Sequence, residues 1–349
     1  MPLARRVAAV IAMLIILGLA LLAHRSVVLS KKEIRLKGEA FGSTYSIVAH
    51  AHFNIPEDEL TRQIDTRLKE LGAVFSLYDP NSELSRINAA PAGVRVTISA
   101  DLHRVLSESM RLSAATDGAY DITVGPLVSL WGFGPGREPA EAPSDAAIAE
   151  ARSHVGYRHI VYDEGGLTKL RDGMVLDFSS KAPGYAVDEI ARILRDAGCQ
   201  DYLIEIGGEI DVEGRAPTGQ LWTIGVESPE EGMAPGERLE AAIRLPYGAV
   251  STSGSYRRFK ELGGRHANHI IDPRTGAPAS SAAVSVTVLA PACTVADGLG
   301  TALMVMGVDE GLRWIALHPG LEAMFLVKTG HGFARKMSPG FAEYLTPLD

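Results

Sequence analysis

Cysteine is scarce in this chain: Cys199 and Cys293 are the only two among 349 residues. Two thiols so far apart make neither a disulfide framework nor a set with metal-ligand spacing, so a small stapled scaffold is excluded. They read as packing residues, with a single bridge left open by sequence alone. Basic blocks are missing as well. The formal charge is −8, and outside the first residues only scattered pairs such as Arg257-Arg258 gather positive charge. That balance argues against a general affinity for nucleic acid. No low-complexity linker, tandem repeat or heptad array interrupts the chain, and neither GxGxxG nor GxxxxGK[ST] occurs. The two best-known glycine-rich phosphate loops are therefore not the source of any nucleotide binding.

One apolar stretch is long. Arg5-Arg6 precede an unbroken apolar run over residues 7–23, followed by His24-Arg25 and Lys31-Lys32. Basic residues and then an apolar run is the order of a secretory signal. The run also sits at the lower limit for a helix that spans a bilayer. Gly18 and Ala20 make a usable small-x-small pair, but no strong cleavage pattern follows, which favours an uncleaved anchor. No Cys lies nearby to carry a lipid. The chain is expected to divide into a signal peptide or transmembrane anchor at 1–32 and one folded domain at 33–349. Its composition, 46% apolar and 22% charged, is that of an ordinary globular domain able to bury a sizeable core.

Helical periodicity is clearest at Leu60, Ile64, Leu68 and Leu71, at Leu102, Val105, Leu106 and Met110, and at Val187, Ile190, Leu194 and Ala197 before Gly198. A fourth, mostly apolar stretch runs over 303–317 around Gly307. Strands are expected at 40–50, 202–206, 210–214, 222–227, 241–245 and 283–289, where Val284, Val286 and Val288 alternate. Strands outnumber the helices that regular βαβ units need. Adjacent strands with helices grouped before and after point to an α+β fold, largely antiparallel sheets packed with helices.

Two segments in the last third carry the most chemistry. Asp297 and Thr301, four apart on a helix, offer a carboxylate and a hydroxyl on one face, a hard-oxygen pair suited to Mg²⁺. Thr294-Val295-Ala296-Asp297 is equally a T-x-x-D capping pattern, and taken by itself capping is the commoner role. His269 stands before IIDPRTG, where Pro273 fixes φ and Gly276 is free to turn, so it ends a short strand beside a rigid loop. A rigid loop suits a general base, although a lone His is more often structural; a zinc site from His266 and His269 lacks a third ligand. Glycine- and hydroxyl-rich turns at Gly207-Gly208, 251–255 and 179–184 could meet an oxyanion, each weakly. YDITVGPL at 120–127 with Trp131 could line a site for a flat ring.

Taken together and in order, FGSTY at 41–45, YDPNSELSRIN at 78–88, AYDITVGPLVSLWGFG at 119–134, LDFSSKAPGYAVD at 176–188, 203–208, 250–254, HIIDPRTG at 269–276 and 296–307 (ADGLGTALMVMG) resemble the ApbE family, the FAD:protein FMN transferases. The resemblance spans almost the whole chain after residue 32. It implies an ApbE-like fold and transfer of FMN from FAD to a Thr or Ser hydroxyl of a target flavoprotein, releasing AMP. It further implies Mg²⁺ at the FAD pyrophosphate, held by Asp297, Thr301 and Ser180. Phe41, Tyr78, Ala119, Tyr120, Asp121, Asp177 and Ile271 match positions that contact FAD, and His269 would take the acceptor's proton. Exported or membrane-attached electron-transport subunits, such as those of sodium-translocating NADH:quinone reductase or Rnf-type complexes, are the implied targets, on the periplasmic side of a bacterial inner membrane. Two departures stand out. Pro183 occupies a position where the family often has Lys, which would remove one contact to the flavin nucleotide. Gly300 stands where Ala or Ser is more usual; glycine inside a helix costs about 0.5–1 kcal/mol, so the turn presenting Asp297 and Thr301 is expected to be looser. Hydrolysis of FAD to FMN and AMP, or FAD binding without turnover, are the competing readings.

Overall fold

The computed structural model describes residues 31–348 apart from 53–54, 137–138, 231–232, 234–235 and 257. The expected anchor at 1–32 thus lies almost wholly outside the described residues. Within them, no helix is long and apolar enough to cross a membrane.

The backbone of the domain is an eight-stranded sheet. Its strands are β1 (Lys31–Ala40), β2 (Ser43–His52), β6 (Asp201–Ile206), β7 (Glu209–Glu213), β10 (Tyr247–Gly254), β13 (Ala283–Ala290), β14 (Glu322–Thr329) and β15 (Gly332–Met337), in that spatial order and antiparallel throughout. The chain visits three smaller sheets on the way: β3 (Arg95–Val96) with β4 (Ile160–Asp163) and β5 (Gly166–Lys169), β8 (Trp222–Glu227) with β9 (Leu239–Leu245) and β16 (Leu345–Thr346), and the hairpin of β11 (Phe259–Leu262) and β12 (Arg265–Asn268). The helices are α1 (Glu57–Phe75), α2 (Glu83–Ala89), α3 (Ala100–Ala115), α4 (Gly125–Leu130), α5 (Asp145–Ser153), α6 (Ala182–Asp196), α7 (Cys293–Met306) and α8 (Val308–Ala316). The α+β expectation is met.

Strand alternation sorts the main sheet into two cores. Tyr202, Ile204 and Ile206 on β6 and Val286, Val288 and Phe325 on β13 and β14 point to the helical side, where α1, α6 and α7 cover them. Leu203, Val212, Val250 and Leu326 point the other way, onto Trp222, Ile224 and Val226 of β8. In α1 the stripe Leu60, Ile64, Leu68, Leu71 and Phe75 is buried at the spacing that the sequence shows. A third, satellite cluster of Leu127, Trp131, Leu262, Ala267 and Ile271 joins α4 to the β11–β12 hairpin. Cys199 and Cys293 are both buried and free.

Two expectations shift at their ends. The strand expected over 40–50 starts at Ser43, because the chain reverses between β1 and β2 at Phe41 (φ 53°) and Gly42 (φ 72°). Phe41 is one of only two described non-glycine residues in the left-handed region, a conformation held at some cost. The apolar stretch over 303–317 is two helices rather than one: α7 stops at Met306 and α8 begins at Val308. Gly307, with φ 77° and ψ −178°, makes the break in a region of backbone space that is essentially reserved for glycine. Gly307→Ala is expected to cost about 1–3 kcal/mol and to lower the melting temperature, measured by calorimetry, by about 2–4 °C for each kcal/mol.

Candidate active site

The site is assembled on the first turns of α6 and α7, which cross closely. Neither helix has a side-chain cap of its own: Lys181 precedes α6 and Ala292 precedes α7, and neither makes a capping bond. Each takes one from the other. Asp297 of α7 accepts from the Gly184 backbone N–H of α6 at 3.0 Å, while Asp188 of α6 accepts from the Cys293 and Thr294 N–H groups at 2.7 and 2.9 Å and from the Thr294 hydroxyl. A cap of this kind contributes about 0.5–2 kcal/mol. The T-x-x-D reading is thereby corrected: Asp297 serves the neighbouring helix, and Thr294 bonds Asp188. Gly184 permits the crossing, since a Cβ there would stand 2.6 Å from the Cys293 carbonyl oxygen and 2.9 Å from Asp297 Cβ.

Asp297 is 5% exposed. Burial lifts its pKa to about 7, opposed by the Gly184 N–H and by Lys181 and reinforced by Asp188. Lys181, 2% exposed, is pulled down to about 8 by burial against the fields of Glu108 and Asp297, and its Nζ lies 3.9 Å from Glu108 Oε2. Glu209 at the start of β7 is held well above the usual carboxylate range by burial and by Asp297. A buried carboxylate with one hydrogen bond and no close ion pair is what a cation would stabilise. Thr301 follows one turn later on α7 and is half-buried, as is Ser180. The Tyr120 hydroxyl, buried and without a well-aligned hydrogen-bond partner among the described residues, lies by Ser180 and Ser109 in the field of Asp297 and Asp177. Among the described residues no group of three or more His, Cys, Asp or Glu could hold a metal. The donor set is instead one carboxylate with hydroxyls, which fits Mg²⁺ that takes its remaining ligands from water and substrate phosphate.

The other expected residues are placed around this cluster with different duties. Asp177 is tied to the 119–124 loop, its N–H donating to the Ile122 carbonyl at 2.7 Å, and it accepts from the Ser179 N–H at 2.8 Å. Asp121 is buried and fully engaged: Thr123 N–H (2.8 Å), the Thr123 hydroxyl (2.6 Å) and Tyr157 N–H (2.8 Å) all donate to it. Its carboxylate therefore shapes the loop rather than reaching outward. Ala119 and Ile271 are buried, Phe41 is half-buried, and Tyr78 is 72% exposed. Pro183 sits in the first turn of α6, a position where proline is favoured.

The loosening expected at Gly300 is also corrected. α7 runs through it unbroken, and a Cβ there would fall 2.6 Å from Ser253 Oγ on β10. The missing side chain lets the helix lie close on the sheet.

His269 belongs to the satellite lobe. Its ring packs edge-on to Phe133 with centroids 6.3 Å apart, and Nδ1 lies 3.1 Å from the Arg258 carbonyl oxygen. A carbonyl only accepts, so Nδ1 carries the hydrogen and Nε2 keeps its lone pair. Burial pulls the His269 pKa down to about 4. The turn behind it is fastened by Trp131 Nε1–H donating to the Gly276 carbonyl at 2.9 Å and by Gly276 N–H donating to the Asp272 carbonyl at 2.8 Å. His266 is spent elsewhere, stacked on Phe259 and 2.8 Å from Glu261, which removes a shared zinc site. A cavity of about 1120 Å³ opens alongside, lined among others by Trp131, Tyr256, Asn268, Met304 and Phe333; Asp297 and Thr301 do not line it.

Sequence reasoning passed over Lys181, Gly184, Asp188 and Glu209. The available signal was the residue immediately before each helix: Lys181 and Ala292 offer no side-chain acceptor, so the caps had to come from elsewhere.

A family model described as the ApbE family matches residues 41–325. The chain is 38% identical over 318 residues to the FAD:protein FMN transferase of Haemophilus influenzae, covering 89% of this chain and 91% of that protein. It is 36% identical over 316 residues to the Vibrio cholerae protein of the same name, covering 90% and 93%. Among solved structures it matches the flavin transferase ApbE from Vibrio cholerae with a TM-score of 0.83 at 36% identity, over 90% of this chain and 100% of that one. It matches the apo form of the Pseudomonas stutzeri flavinyl transferase ApbE with a TM-score of 0.82 at 36% identity, over 91% and 98%.

Because native His269 stays neutral down to about pH 4 while the unfolded side chain titrates near 6.5, the unfolded state binds more protons between those values and stability falls as pH drops through that window. His269→Gln removes this loss. The melting temperature of the variant relative to the parent should therefore rise on going from pH 8 to pH 5; a constant difference would show that His269 is not held neutral.

Proposed function

The chain belongs to the ApbE family and is an FAD:protein FMN transferase, and on that footing we propose how its own residues carry the transfer. The acceptor is a Thr or Ser hydroxyl of the target flavoprotein. As its oxygen bonds to the FMN phosphorus, the bond from that phosphorus to the bridging pyrophosphate oxygen breaks and AMP departs with that oxygen. The hydroxyl proton passes to Nε2 of His269. The observation that carries this reading is the His269 geometry: a tautomer with its lone pair on Nε2, on a turn fastened by Trp131 through the Gly276 carbonyl.

Asp297 with the Thr301 and Ser180 hydroxyls would hold Mg²⁺, which when bound supplies positive charge against the pyrophosphate. The backbone of the 119–124 and 177–181 loops, with Phe41, Tyr78, Tyr120 and Ile271, forms the surroundings for FAD. Lys181 keeps a positive charge beside Asp297 although Pro183 carries none. The basic-apolar-basic order over residues 5–32 supports an exported enzyme held at, or released from, the periplasmic side of a bacterial inner membrane. Electron-transport subunits exposed there are the fitting targets.

Incubation with FAD, Mg²⁺ and an acceptor domain should yield fluorescent acceptor and AMP in equal amounts. Free FMN with unlabelled acceptor would establish hydrolysis instead, and unchanged FAD a binding role. His269→Ala should leave FAD binding nearly intact and slow transfer by roughly 10²-fold or more, the scale of a general base. Asp297→Ala should remove activity and Mg²⁺ dependence together. At Mg²⁺ concentrations that saturate the site and so keep Asp297 ionised, and with His269 neutral down to about pH 4, kcat/KM for transfer should show no acid limb between pH 8 and pH 6.

A further inference from the structure

The exchange of caps between α6 and α7 sets more than helix stability. Asp297 has one carboxylate oxygen, Oδ2, bound by the Gly184 N–H, so the direction in which the carboxylate presents its other oxygen depends on where α6 sits against α7. What fixes α6 against α7 at that level is Asp188. Its two oxygens take the first two N–H groups of α7 and the Thr294 hydroxyl, and it stands one helical turn from Gly184 on the same helix. The two bonded sets therefore close a loop: Gly184 to Asp297, along α7 to Cys293 and Thr294, across to Asp188, and back along α6. Close approach leaves no slack, since Gly184 has the Cys293 carbonyl and Asp297 Cβ against its Cα hydrogen.

We propose that Asp188 is a positioning residue for the cation site: by clamping the start of α7 to α6 it orients Asp297 and Thr301 for the metal, without touching metal or substrate. This rests on the reading of Asp297 and Thr301 as ligands, and the test separates the two. A bare helix cap can be restored from within α7 itself, because Ala292 occupies its empty capping position and Ala292→Asp would supply a local acceptor. A local cap restores the helix end but not the bond between the helices.

The full chain with FAD is titrated with Mn²⁺, following the EPR signal of the free ion, and melting temperature and the Mg²⁺ dependence of transfer are measured alongside. Asp188→Asn is expected to weaken Mn²⁺ binding roughly tenfold or more, the scale found when a group that orients a metal ligand is removed. The Mg²⁺ concentration for half-maximal transfer should rise in step while kcat at saturating Mg²⁺ changes much less. In the Asp188→Asn, Ala292→Asp double variant the melting temperature should recover and the metal affinity should not. Gly184→Ala, which forces the crossing apart from the other side, should weaken metal binding in the same way. Unchanged Mn²⁺ binding in Asp188→Asn, or full recovery of binding with Ala292→Asp, would overturn the proposal and leave Asp188 an ordinary cap. If Asp297→Ala also binds Mn²⁺ like the parent, the ligand assignment itself has failed, and the positioning role falls with it.

Discussion

The close crossing of α6 on α7 is the constraint on which the rest of the structure depends. Two helix starts that carry no caps of their own are brought together so that each carboxylate meets the other's free N–H groups. Leaving those donors buried and unpaired would cost about 1–3 kcal/mol each, so the pair is stable only as a pair. The crossing also brings together in space the 176–188 loop and helix and the ADGLGT turn of α7, which are separated in sequence by the eight strands β6 to β13. Everything at the candidate site hangs from that juncture: Ser180 precedes it, Asp297 lies in it, and Thr301 extends from it.

Buried charge is the second feature of the juncture, and it supports the proposed role of Asp297. Asp188, Glu209, Asp211 and Asp297 all have their pKa values raised, burial being the largest cause in each case. Cys293, at the start of the same helix, is pushed up as well. A fold selected for stability alone would replace such acids with apolar groups of similar volume. The positive end of α7 and the ammonium of Lys181 relieve part of the repulsion. The remainder is what the proposed cation would offset, which would link the affinity of the site to the cost that the protein bears without it.

Much of the fold was legible in the sequence, and the gaps have physical causes. Periodicity located α1, α3 and α6, and alternation located β6, β8 and β13, because these elements bury one regular face. The break at Gly307 was hidden, since an apolar stretch continues through it and only the backbone conformation shows that the helix restarts. β1 and the β14–β15 hairpin were not anticipated; their pairing is decided by neighbours distant in the chain. At the site, Asp297 and His269 stood out by chemical type, whereas Asp188 and Gly184 did not. A carboxylate that caps another helix and a glycine that admits a neighbour have no local pattern, and both become visible only when the two helices are laid together. The suspected weakness of Gly300 was a propensity argument, and packing against Ser253 overrode it.

His269 sits apart from this juncture, on the satellite lobe, and its properties say what kind of base it can be. A side chain with a pKa near 4 is a weak proton acceptor, and on Brønsted grounds it would be a poor choice for generating a free alkoxide. Phosphoryl transfer does not ask for one. The proton is taken as the new oxygen–phosphorus bond forms, so no free alkoxide has to precede the attack. In the proposed role His269 offers a lone pair whose direction is set by the Arg258 carbonyl and the fastened 269–276 turn. Low basicity suits that role: a neutral imidazole adds no positive charge to attract the phosphates into the acceptor's place, which would leave their position to the proposed cation and to α7.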